Sequence, residues 1–226
     1  MRSLVLLMVC AALVLASGGA SGELSDQEKQ NGFVSIFNGK DLSGWVYGTL
    51  GEGTNKIGKG YQVENGTIYS TADDGGNLYT EKEYSDLVLR FEFKLTRNAN
   101  NGIGIRAPLS GDSAYVGMEI QVLDDAGPMY RNLRPAQYHG SIYDVFAAKR
   151  GHLKDVGEWN EQEITARGRH ITVTLNGAVI VDVNLDEVTD ELTLKHHPGL
   201  ANKKGHIGLL GHGSRVEFRN LRVKEL

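Results

Sequence analysis

Thiol chemistry is almost missing: the only cysteine among 226 residues, Cys10, lies inside an apolar run near the start. That run, "LVLLMVCAALVLA" at residues 4–16, follows Arg2 and precedes the small residues "SGGASG". A short basic start, an apolar core and a small-residue region are the order of a secretory signal peptide. The run is shorter than the roughly 20 residues that span a bilayer. Residues 1–22 are therefore expected to be a signal peptide. Residues 23–226 then form one exported domain, periplasmic or extracellular, with no stable membrane insertion after cleavage. Such a domain has no cysteine, which excludes a thiolate nucleophile, a thiolate metal site and a disulfide. At about 200 residues it buries enough apolar surface to need no covalent staple.

Proline is also scarce, at 4, whereas glycine reaches 29. That balance suits tight turns and close strand approaches rather than a Pro-rich disordered chain. A charge excess of one sign is missing as well: 24 basic and 28 acidic residues are well mixed, for a net charge of −4. With no basic stripe, nucleic acid is not an expected partner. Long helical apolar stripes are absent, and only "LSDQEKQN" and "LDEVTDEL" read as short helices.

A period of two is what remains. "FVSIF", "YQVENGTIYS", "DLVLRFEFKL", "GIGIRAP", "YVGMEIQVL", "HITVTLNGAVIVDVNL", "HIGLLGH" and "SRVEFRNLRVKEL" all alternate as strands do. Asn65-Gly66 and Asn176-Gly177 sit between strand-like arms, and Asn-Gly tolerates the positive φ that a two-residue hairpin requires. The pattern predicts an all-β domain, a sandwich or jelly roll of antiparallel sheets. Residues 123–158 break the alternation, and a long irregular stretch inside a compact domain tends to carry function.

Several motifs, taken in order, resemble the 3-keto-disaccharide hydrolase domain family. They are "GFVSIFNGKDLSGW", "YQVENGTIYS", "GGNLYTEKEYSDLVLRFEFKL", "NNGIGIR", "YVGMEIQVLD", "HGSIYDV", "GEWNEQEITARGRHITVTLNG" and "GHIGLLGHGSRVEFRNLRVKEL". The resemblance implies a concanavalin-like jelly-roll β-sandwich of two antiparallel sheets. It also implies an exported, carbohydrate-active enzyme that cleaves 3-keto-glycosides, with a small-molecule carbohydrate as partner. The alternative is a jelly roll that binds carbohydrate without catalysis, since a fold does not decide function. No organic cofactor is expected; one divalent cation is admitted, with its ligands unassigned.

Alternation nominates the site residues. Glu119 and Gln121 oppose Met118, Ile120 and Val122. Were the neighbouring strands adjacent, Glu92, Lys94 and Arg106 would join them on one face. Glu119 is then the first choice for a general base, the alternative being a surface carboxylate paired with Arg106 or Lys94. Arg106 offers a fork of donors for a carbonyl or enolate oxygen. Gln121 suits sugar hydroxyls because it both donates and accepts. In the irregular stretch, His139 is a second candidate base, and Tyr143 a candidate substrate contact. Asp124 closes the strand, either as a turn residue or toward substrate. His212 falls in a Gly-rich turn, and Trp159 could stack on a sugar; Glu92 is the one partner available if two carboxylates hydrolyse the bond directly. His152 and His170 read as surface residues, His206 as structural, and His196-His197 as a loop pair outside the site.

Overall fold

The computed structural model describes residues 23–48, 60–71 and 76–226. The expected signal peptide lies outside the described residues. In chain order the described strands are β1 (Val34–Ser35), β2 (Trp45–Tyr47), β3 (Tyr61–Glu64), β4 (Thr67–Ser70), β5 (Gly76–Tyr84), β6 (Leu87–Leu95), β7 (Asn100–Ala107), β8 (Met118–Leu123), β9 (Trp159–Arg167), β10 (His170–Leu175), β11 (Ala178–Asn184), β12 (Gly205–Gly211) and β13 (Val216–Glu225). Three short helices, α1 (Asp26–Gln30), α2 (Ser113–Val116) and α3 (Glu191–His196), complete them. Among the described residues no helix is long and apolar enough to cross a membrane.

Two antiparallel sheets pack face to face, as the alternation predicts. The larger runs β11-β10-β9-β6-β13-β4-β3, with β1 also on β13; the smaller runs β2-β5-β12-β7-β8. Both Asn-Gly pairs form the expected hairpins, with all four residues at positive φ: Asn65 and Gly66 join β3 to β4, and Asn176 and Gly177 join β10 to β11. Strand β6 buries Leu87, Leu89, Phe91, Phe93 and Leu95 and turns Arg90, Glu92 and Lys94 outward. From the smaller sheet, Leu78, Ile103, Ile105, Met118, Ile120, Val122 and Leu209 meet that apolar face. The core therefore lies between the sheets, and each sheet keeps one outward face.

Segments that do not alternate depart from the expectation. Strand β5 was not legible by period because its first five residues are buried on both faces. Tyr115 and Val116, expected in a strand, belong to α2: Asp112 caps it by accepting from Ala114 N at 3.1 Å, and Gly117 ends it. The irregular stretch is ordered against the outer edge of β8. Gln121 N donates to Ser141 O, Gly140 N to Gln121 O and Tyr143 N to Glu119 O, at 3.0, 2.8 and 2.9 Å. These bonds cap a sheet edge that would otherwise present unpaired backbone groups.

Candidate functional site

On the outward face of the smaller sheet lies a cleft of about 140 Å³, lined by Asn100, Asp112, Ala114, Tyr115, Glu119, Gln121, Leu123, Tyr130, Leu133, Gln137, Tyr143 and His212. Strands β7 and β8 form the floor. Helix α2 makes one wall, the edge-bound stretch a second, and the turn between β12 and β13 brings His212. Helix α2 is fixed from three sides. Tyr79 OH lies 2.6 Å from Ser113 Oγ, His197 Nδ1 donates to Ala114 O at 3.0 Å, and Asn202 Nδ2 donates to Val116 O at 2.8 Å. A side chain at Gly199 would run into the backbone of Gly117, so glycine lets the 197–202 segment lie flush on the helix. His197 is thus a buried brace of the cleft wall and not the loop residue the sequence suggested.

Glu119 is the centre of the cleft. It is 4% exposed, and its Oε1 has no hydrogen-bond partner. Its carboxylate lies over the backbone of Gly102, where a Cβ would overlap it. His212, half exposed, holds Nε2 at 3.9 Å from that oxygen, close enough for charge attraction but too long for a hydrogen bond. Burial pushes the Glu119 carboxyl above the usual carboxylate range, and His212 partly offsets this. In turn, contact with the Glu119 side chain raises His212 above the ordinary imidazole value. A buried carboxylate with an unpaired oxygen and a protonatable neighbour is the arrangement expected of an acid–base pair. Asn100 Oδ1 is a second buried acceptor without a partner. Gln137 Nε2 donates to Tyr143 OH at 3.2 Å, and burial raises the Tyr115, Tyr130 and Tyr143 phenols, which keeps them protonated.

Of the residues nominated from sequence, Glu119, Gln121, Tyr143 and His212 line this cleft. Five others lie elsewhere, each for a physical reason. Glu92 and Trp159 belong to the larger sheet, because the chain crosses between sheets after β6, so their outward face is on the opposite side of the sandwich. There Glu92 accepts from Arg219 Nε at 2.8 Å, and the Trp159 ring lies 4.0 Å from the Arg219 guanidinium carbon and 4.9 Å from Lys94 Nζ. Arg106 sits where the β7–β12 register breaks, at φ 50°, and a bulge re-aims its side chain. It is 2% exposed and donates to Ser85 O, Gly168 O and Asp86 Oδ1 at 3.1, 2.8 and 3.0 Å, stapling the end of the sandwich. His139 lies in the core, stacked on Phe93 with ring centroids 5.1 Å apart. Its Nδ1 accepts from Leu123 N and its Nε2 donates to Gln162 Oε1; burial lowers its pKa to about 3, so it is a neutral structural histidine. Asp124 is the turn residue, accepting from Asn98 N at 2.8 Å and Ala126 N at 3.2 Å.

Sequence reasoning missed Asp112, Tyr115, Asn100, Tyr130, Leu133 and Gln137. For Asp112 a signal existed: Asp followed by Ser-Ala-Tyr-Val and then Gly is a cap-to-stop helix pattern. The others depend on how the irregular stretch folds back on the sheet, which local pattern does not encode.

Residues 32–224 match the 3-keto-alpha-glucoside-1,2-lyase-like domain family. A 3-keto-disaccharide hydrolase from Bacteroides thetaiotaomicron is 28% identical over 87% of this chain and 79% of its own length. Two crystal structures from Parabacteroides distasonis, both provisionally assigned as glycosyl hydrolases, superpose closely. One has a TM-score of 0.73 at 26% identity, covering 86% of this chain and 99% of the other. The second has a TM-score of 0.75 at 24% identity, covering 91% and 99%, and bears on the fold alone.

Proposed function

The chain belongs to the 3-keto-alpha-glucoside-1,2-lyase-like domain family, and from that premise we propose that it is an exported enzyme cleaving the glycosidic bond of 3-keto-glycosides by elimination and rehydration. The single observation that carries the mechanism is the buried, unpaired Glu119 Oε1 in the cleft. A ketone at C3 acidifies the C2 proton. Glu119 takes that proton, and the electron pair passes to the C3 oxygen as an enolate. The enolate re-forms the ketone, a C1–C2 double bond forms and the C1–O bond breaks. His212, its proton held by the carboxylate beside it, protonates the departing oxygen. Water then adds across the double bond to give the free 3-keto sugar. Gln121, Gln137 and Tyr143 are placed to hold ring hydroxyls.

The donors here do not assemble a cation site: among the described residues no three histidine, cysteine, aspartate or glutamate side chains gather, and no step is routed through a metal. Export is supported by the apolar run at residues 4–16.

A second reading has one observation in its favour: Asp112 lines the cleft with Glu119. A carboxylate pair of that kind supports direct hydrolysis of unoxidised glycosides. Incubation of the purified protein with matched 3-keto and ordinary glucosides, with and without a chelator, separates the two. Elimination predicts product from the 3-keto substrate alone and a loss of about 10²-fold or more in Glu119→Gln, with the circular dichroism spectrum unchanged. Equal turnover of ordinary glucosides would favour the carboxylate pair, and product from neither substrate would end both readings.

A further inference from the structure

Of the described residues that line the cleft, only His212 can carry positive charge, whereas Glu119 and Asp112 can both carry negative charge. The proposed elimination uses Glu119 and His212 and leaves Asp112 without a part. The Asp112 carboxylate is not free to swing. Its Oδ1 accepts from Ala114 N at 3.1 Å, and its backbone O accepts from Tyr115 N and Val116 N, both at 2.9 Å. Helix α2 is itself braced by Tyr79, His197 and Asn202. A fixed negative charge therefore stands in the wall of the cleft that holds Glu119 and His212.

The charge count changes during the reaction. At its start, two carboxylates share one imidazolium. Once Glu119 has accepted the C2 proton it is neutral, and its attraction for the imidazolium is gone. Burial then favours the neutral imidazole, so the acid would lose its proton before the C1–O bond breaks. A second carboxylate prevents this, because charges shielded from water attract more strongly than in bulk. The Asp112 charge acts in that sense on both partners, raising His212 and Glu119. The other groups in the field of Glu119 are Tyr61 of β3, Tyr79 of β5, Tyr115 of α2 and Tyr143 of the edge-bound stretch; burial raises each phenol, so all four are neutral. Arg134 and Asp144, which act on Tyr115, are paired with each other at 2.5 Å.

We propose that Asp112 is a positioning residue for the elimination: its carboxylate holds the His212 imidazolium in place after Glu119 has taken the substrate proton, and it neither gives nor takes a proton itself. This rests on the catalytic reading above, but one arm of its test needs no turnover. Asn and Ser cap a helix about as well as Asp, so Asp112→Asn and Asp112→Ser remove the charge and keep α2. The His212 ring is followed by NMR titration of the full chain, its signal assigned by its loss in His212→Asn. In both Asp112 variants His212 is expected to titrate at lower pH than in the parent, and adding Asp112→Asn to Glu119→Gln lowers it again. With a 3-keto-glucoside, kcat at the parent's optimum is expected to fall about tenfold, the weight of one pKa unit, and both limbs of the pH–rate profile move to lower pH. Loss of a cap alone moves neither limb. An unchanged His212 titration or unmoved limbs would leave Asp112 a helix cap and overturn the proposal, as would loss of all turnover, which makes Asp112 a reacting group. A lowered His212 titration in a protein whose parent cleaves no 3-keto-glycoside would retain the charge pairing and end the catalytic reading, the positioning role with it.

Discussion

Glycine at position 102 is what allows Glu119 to lie where it does. Gly102→Ala places a methyl group in the space of the carboxylate, so the Glu119 side chain must swing away while the strand remains paired. Turnover is expected to fall by about 10²-fold, the effect of a misplacement near 1 Å, with little change in the thermal midpoint. Steady-state kinetics beside a melting curve will check this. The charge state of the same pair sets the pH behaviour. Glu119 must lose its proton to act as base, and its pKa is raised; His212 must keep its proton, and its pKa is raised too. The rate profile should be a bell, its acid limb above the ordinary carboxylate range and its alkaline limb above 6.5, the usual histidine value. Linkage gives a stability counterpart. A carboxyl whose folded pKa is raised favours folding fully below its unfolded pKa, and this is lost as pH rises through the folded value. Glu119→Gln is therefore expected to melt at higher temperature than the parent at pH 7. That advantage should vanish near pH 4, as thermal unfolding across that range would show. Glu119 and Gln121 were legible from sequence because β8 alternates strictly; His139 was not, because a histidine in a loop reads the same whether the loop faces water or the core.

At the scale of elements, regular strands were readable and interruptions were not. Strand β6 declares both of its faces, whereas the break at Arg106 leaves no mark on the alternation of "GIGIRAP". The bulge makes Arg106 a staple between the β5–β6 turn, the β9–β10 turn and the 202 region. Arg106→Met leaves Ser85 O and Gly168 O without their donor and Asp86 without its ion pair, and should cost about 1–3 kcal/mol of stability, the range for acceptors left unsatisfied. Below the melting transition its kcat/KM should remain near that of the parent, since no atom of Arg106 enters the cleft. A large loss of kcat/KM with stability preserved would return Arg106 to the site. The same reasoning explains why helix α2 was read as strand: Tyr115 and Val116 carry strand propensity, but the Asp112 cap and the brace from His197 and Asn202 override it.

For the whole molecule, the decisive missing information was strand order. Alternation assigns each residue to one side of its own strand. It does not say that β6 and β7 enter different sheets, and this is why Glu92 and Trp159 face away from Glu119. The two-sheet architecture followed from local pattern, and the motif order carried the family; the cleft required the irregular stretch to be seen folded on the edge of β8. The central claim is that this cleft breaks a glycosidic bond through proton removal at C2. It is tested most directly with a 3-keto-glucoside carrying deuterium at C2, by following product mass and rate together. A primary isotope effect on cleavage and loss of the deuterium to water during turnover are expected. Full retention of deuterium with no isotope effect would contradict it.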